Sequence, residues 1–207
     1  MKRVLLIGDS IRLHYQDEVK KLLGEEYEVV APKENCRFSA YVLNSLGFWL
    51  PECGNPDIIH WNAGLWDTAI VYKEDGCFTS LSQYISNMKK ILRELKKTGA
   101  RIIFATTTPV HDKKKNFPGG PIYSAHDNAD IIKYNHAIIE AFKDEEIIVN
   151  DLFEIMYKER NLLLKDDRIH PNENGIKKLG AAVADIIKAQ HFSEEAPVYS
   201  TQAESLL

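Results

Sequence analysis

The sequence predicts a three-layer α/β fold: a five-stranded parallel sheet with helices on both faces, in the flavodoxin-like strand order 2-1-3-4-5. Three observations predict it. Short apolar runs, several of them β-branched, alternate along the whole chain with longer stretches whose apolar residues recur at helical spacing. Those short runs are apolar at consecutive positions, as strands covered on both faces are. Five such strands separated by helices call for right-handed crossovers and a doubly wound sheet, with the first strand central.

The elements follow in order. Val4-Leu5-Leu6-Ile7, stopped by Gly8, is the first buried strand (residues 3–7), and Tyr15, Val19, Leu22 and Leu23 give the next segment, 11–24, one apolar helical face. Strands are expected at 27–31, 57–62, 101–106 and 147–150, with helices near 39–50, 80–98, 128–143 and 172–190. The clearest helix carries Leu81, Tyr84, Ile85, Met88, Ile91, Leu92 and Leu95. It opens on Ser80-x-x-Gln83, a capping-box pattern, and closes before Gly99. Residues 111–127 (HDKKKNFPGGPIYSAHD) form a long connection for a compact fold, a candidate substrate wall or lid. One domain is expected over 1–191, and the aperiodic tail, 192–207, is expected to fray.

A chain of 207 residues with 44% hydrophobic content supports one such domain without staples, burying roughly 70% of its unfolded surface. A net charge of −4 and the lack of a basic helix argue against nucleic acid; Lys113-Lys114-Lys115 reads as a solvated loop feature. Cys36, Cys53 and Cys77 form no CxxC pair and suit a reducing compartment. The first strand leaves no room for a signal peptide, and no apolar run approaches the ~20 residues of a membrane span, so a cytoplasmic protein without a membrane segment is expected. Phosphate-loop, dinucleotide-binding and H-E-x-x-H motifs are absent and the histidines are scattered, so no cofactor and no metal are expected.

The chemistry points to the two ends of the chain. Ser10 falls at the corner between the first strand and its helix, where free N–H groups and the helix dipole favour an anion. That corner is also where open α/β sheets bind ligands. The plain alternative makes Ser10 an N-cap. Asp167-Arg168-Ile169-His170 precedes Pro171-Asn172 and the last helix. In a tight loop, an Asp three residues before a His can accept from its Nδ1–H, leaving Nε2 free to take a serine's proton. Two of the seven histidines have that spacing. In the other pair, Asp57 and His60, a strand sets the two side chains on opposite faces.

These residues resemble the SGNH (GDSL-like) hydrolase superfamily of esterases and lipases. The likeness lies in Ile7-Gly8-Asp9-Ser10 on the first strand and Asp167-x-x-His170 before the last helix, with Thr107-Thr108-Pro109 and Tyr134-Asn135 between. It implies Ser10 as nucleophile, His170 as general base and then acid, and Asp167 as its orienter. It also implies an oxyanion hole. The Ser10 N–H is one donor. A backbone N–H after strand two, where the family has Gly, falls here at Cys36 or its neighbour Arg37. The family's third-block Asn has no direct equivalent in Asn62-Ala63-Gly64-Leu65-Trp66-Asp67, where Asn62 is the nearest carboxamide. A structural Asn bonding local backbone is the alternative for Asn62.

For the substrate, Arg12, Arg37 and Arg168 accompany three of the blocks and would suit a carboxylate, phosphate or sulfate if they face the cleft; otherwise they cap loops or pair with acids. Trp61 and Trp66 offer flat faces to a sugar or acyl group, whereas Trp49 fits the core. The resemblance implies cleavage of a carboxylic ester, an O-acetyl or short acyl group on a carbohydrate or small metabolite. Transfer of the acyl group to a second alcohol by the same residues, or a catalytically silent α/β binding module, are the alternatives.

Overall fold

The computed structural model describes residues 1–71, 75–111 and 125–190. Most of the 111–127 connection and the tail from 192 therefore lie outside the described residues, as does the Lys113–Lys115 run. Among the described residues five strands form one parallel sheet of order β2-β1-β3-β4-β5. They are β1 (Lys2–Ile7), β2 (Tyr27–Val30), β3 (Ile58–Trp61), β4 (Arg101–Ala105) and β5 (Ile148–Asn150).

The helices are α1 (Ser10–Leu23), α2 (Ser39–Cys53), α3 (Leu81–Lys96), α4 (Asn128–Ala141), α5 (Leu152–Tyr157), α6 (Arg160–Leu163) and α7 (Glu173–Lys188). Successive strand residues point to opposite faces, so the sheet feeds two cores. Val4, Leu6, Ile103 and Ala105 pack under α1, α5 and α7, against Ile11, Tyr15, Val19, Met156, Val183 and Ile187. Leu5, Ile7, Ile59, Trp61 and Phe104 pack under α2, α3 and α4, against Val42, Trp49, Tyr84, Met88 and Ile138. Trp61 is wholly buried in this second layer, so it offers no face to a ligand.

Three departures from the sequence reading have physical causes. α2 runs past Pro51 to Cys53 and stops at Gly54, whose φ of 75° is the left-handed stop that glycine favours. Ser80 does cap α3, its Oγ accepting from Gln83 N at 3.3 Å, but the Gln83 side chain donates to Asn87 Oδ1 rather than closing the capping box. α5 and α6 were not anticipated, being too short for a periodic signal. Asp151-x-x-Glu154 was nevertheless a legible start, and Asp151 Oδ1 accepts from Glu154 N.

No helix among the described residues is long and apolar enough to cross a membrane. Among those residues no cluster of three or more His, Cys, Asp or Glu side chains is arranged to hold a metal ion.

Candidate active site

The site lies at the carboxyl edge of the sheet, where β1, β3 and β4 deliver Ser10, Asn62 and Thr107 to neighbouring loops. The corner after β1 is tight. A Cβ on Gly8 would sit 2.7 Å from Arg12 Cβ, so only glycine lets α1 start this close to the strand. The N-cap of α1 is Asp9, whose Oδ1 accepts from Ile11 N at 2.9 Å. Ser10 is therefore the first helical residue and not the cap, and its N–H is among the helix's orphan donors.

Ser10 Oγ lies 2.8 Å from His170 Nε2, and His170 Nδ1 lies 2.8 Å from Asp167 Oδ2. Asp167 Oδ1 accepts two backbone N–H groups as well, from Ile169 at 3.0 Å and His170 at 2.9 Å. The loop that carries them is closed at its base by Lys165 N donating to His170 O at 2.7 Å, and Arg168 takes a left-handed φ of 71° within it. Burial raises the Asp167 carboxyl, but the two backbone N–H groups and His170 outweigh it and hold the group below the usual carboxylate range. An ionised Asp167 can only accept, so Nδ1 carries the ring proton. Nε2 then accepts, and the Ser10 hydroxyl is its donor.

Around this triad lie groups of a different kind. His14, one turn along α1, meets the His170 ring at 72° with 5.0 Å between centroids. Burial, then the charges of Lys165 and His170, press its imidazole below the ordinary value, against the pull of Asp167. His126, just before α4, is pushed down to about 4 by burial and the His170 charge. Asp9 is buried and raised to about 6, chiefly by desolvation, against the Ile11 N–H and the charges of His170 and Arg12. Its Oδ2 is buried without a hydrogen-bond partner among the described residues, and Asp9 lines a cavity of about 10 Å³ with Asn62, Thr106 and Thr108 among others.

The residues expected to hold an oxyanion or a substrate divide. Cys36 gives its N–H to Gly8 O at 3.2 Å, so that donor is committed to holding two loops together and not directed at a ligand. The next N–H, of Arg37 (φ 52°), donates to Asn35 Oδ1 at 2.9 Å. Asn62 donates from Nδ2 to Ala105 O at 2.9 Å, which leaves the second amide hydrogen for another acceptor.

Arg12 is corrected outright. It is buried, its guanidinium donating to Gly8 O (3.4 Å), Gln16 Oε1 (2.6 Å) and Glu34 O (2.6 Å), so it braces the loops after β1 and β2 rather than meeting substrate. Arg37 is exposed and lies over the Tyr41 ring at 4.9 Å. Trp66 is exposed at the turn after β3, whereas Trp49 is buried and donates to Glu34 Oε1.

Two positioning devices were missed by sequence reasoning. Asp67, wholly buried, accepts Ser39 N at 2.9 Å and Ser39 Oγ at 2.6 Å, and so pins the start of α2 beneath the Cys36–Arg37 loop. Asn135 clamps Thr107 on both sides, Oδ1 accepting its N–H and Nδ2 donating to its carbonyl, each at 2.9 Å. A Cβ on Gly64 would lie 2.1 Å from Thr107 Oγ1, so this clamp and the turn after β3 fit only around a glycine.

No family model matches the chain, and no curated protein matches it in sequence. Solved structures do match its fold. A lipase/acylhydrolase from Enterococcus faecalis aligns with a TM-score of 0.77 at 19% identity, over 95% of this chain and 100% of that one. A GDSL-like lipase from Bacteroides thetaiotaomicron aligns at 0.69 and 18% identity, over 91% of this chain and 88% of that one. An acetylxylan esterase from Geobacillus stearothermophilus, solved as a catalytic mutant, aligns at 0.72 and 18% identity, over 89% and 93%. The chain therefore has the fold of the SGNH hydrolases.

Proposed function

We propose that this chain, which carries the SGNH hydrolase fold, is a serine hydrolase that cleaves carboxylic esters through an acyl-enzyme on Ser10. The observation that carries the reading is the unbroken line Ser10 Oγ, His170 Nε2, His170 Nδ1, Asp167 Oδ2, with both links at 2.8 Å. A hydroxyl, an imidazole with its tautomer fixed and an orienting carboxylate are what nucleophilic catalysis requires.

In this scheme Ser10 Oγ attacks the ester carbonyl as its proton passes to His170 Nε2. The tetrahedral oxyanion takes hydrogen bonds from the Ser10 N–H and the second Asn62 Nδ2–H. Its collapse breaks the bond to the alcohol oxygen, which leaves with the proton from His170. A water then gives its proton to the same nitrogen, attacks the acyl carbon and releases the acid as Ser10 regains its proton. Asp167 stays ionised throughout and steadies the imidazolium that forms.

The substrate we favour carries an O-acetyl or short acyl group on a carbohydrate or small metabolite. The acetylxylan esterase among the structural neighbours supports that choice, as does the exposed ring of Trp66 at the turn after β3. The test is turnover of p-nitrophenyl acetate and of acetylated sugars by wild type and Ser10→Ala. Hydrolysis that vanishes with the hydroxyl supports the reading; equal rates from both proteins refute it.

A further inference from the structure

His170 is hydrogen-bonded at both ring nitrogens, and its ring is tethered at Cγ, so its plane turns by rotation about the Cβ–Cγ bond. The Nδ1–H bond and the Nε2 lone pair lie in the ring plane, so such a rotation mis-aims both hydrogen bonds together. A ring packed against His170 adds to the resistance those bonds offer, and His14 makes that contact, the two rings meeting at 72° with 5.0 Å between centroids.

His14 is well placed for the task. It sits four residues after Ser10 on α1, so the two side chains leave the same helix face. The helix beneath it is anchored by buried Ile11, Tyr15 and Val19, which fixes the position of the His14 backbone. Its imidazole is held below the ordinary value by burial and by Lys165 and His170. At neutral pH it is thus an uncharged ring that does not repel an imidazolium at position 170.

We propose that His14 is a positioning residue, whose ring sets the plane of the His170 imidazole and so the aim of its bonds to Ser10 and Asp167. The inference rests on the triad reading given above. It asks for a ring at position 14, and it makes no use of the ring's nitrogens.

The experiment compares wild type, His14→Ala and His14→Phe. It measures steady-state kinetics on p-nitrophenyl acetate, the rate at which a fluorophosphonate labels Ser10, and the melting temperature. His14→Ala should lose about threefold to tenfold in kcat, the contribution of one aromatic pair, with KM little changed and labelling slowed by the same factor. His14→Phe should recover most of that loss, and both variants should melt close to wild type. A wild-type rate for His14→Ala overturns the inference. So does a rise in KM alone, and so does a Phe variant as slow as Ala, which would assign the role to a ring nitrogen. If His14→Ala labels as fast as wild type, only this inference falls. If wild type itself does not label, the hydrolase reading falls and takes this one with it.

Discussion

Replacing Asp167 with Asn changes the shape of the site very little and its hydrogen-bonding logic completely. In the native loop the carboxylate accepts three N–H groups, two from the backbone at 2.9 and 3.0 Å and one from His170 Nδ1 at 2.8 Å. An Asn that keeps its oxygen on the backbone pair must turn its NH2 toward Nδ1. Two donors then face each other, and the ring relieves the clash by moving its proton to Nε2, where it points at Ser10 and cannot accept. The opposite rotamer satisfies Nδ1 but sets the NH2 against two backbone donors.

The first outcome is a triad in the wrong tautomer, worth about 10⁴ in rate or ~5.5 kcal/mol at 1.36 kcal/mol per decade. The loss of a charge-assisted acceptor costs the fold only about 1–2 kcal/mol, a few degrees in Tm for a domain of this size. The assay is kcat/KM on p-nitrophenyl acetate beside a thermal melt. A drop of at least about 10³ with a folded, slightly less stable protein is expected. An Asn variant that keeps more than about a tenth of wild-type kcat/KM would contradict the account of the triad.

Arg12→Met should leave Glu34 O without its guanidinium donor and loosen two loops at once, costing about 1–3 kcal/mol by urea or thermal unfolding; a cost below about 0.5 kcal/mol would mean Arg12 is not the brace described. Asn62→Ala should lower kcat about 10²-fold with little change in KM, and a change in KM alone would remove Asn62 from the oxyanion site. His60, buried on β3 with its imidazole pushed down to about 3, binds a proton readily only in the unfolded chain. Its contribution to stability is complete above about pH 6.5 and is lost as pH falls from there toward 3, to a depth on the order of 5 kcal/mol. Wild type should lose more stability than His60→Gln between pH 7 and 4.5 in paired melts, and parallel curves would deny His60 that role.

How much of this was legible in the sequence depended on which physical signal each residue leaves. The parallel sheet and its order followed from buried runs and helical periodicity, and β1 to β5 lie where the runs predict them. Arg12 was misplaced although helix geometry could have placed it. Residues two apart on a helix stand about 200° apart, so Arg12 points away from the face that carries Ser10. The same geometry puts His14, four residues on, beside Ser10, yet a lone histidine announces nothing until the distant loop that carries His170 is folded against it. The direction of a backbone N–H leaves no mark in side-chain pattern, which is why Cys36 was expected to face a ligand and instead ties down Gly8. Asp67 read as part of a motif, but its grip on Ser39 joins residues far apart in the chain, and only the fold reveals it.

The most direct test of the central claim is the site of covalent capture by a fluorophosphonate, read by intact mass and peptide mapping. One adduct per chain, on Ser10, and none on His170→Ala at the same exposure is the result predicted, because the hydroxyl reacts only while its imidazole partner takes the proton. An adduct on another residue, or undiminished labelling of Ser10 without His170, would contradict it.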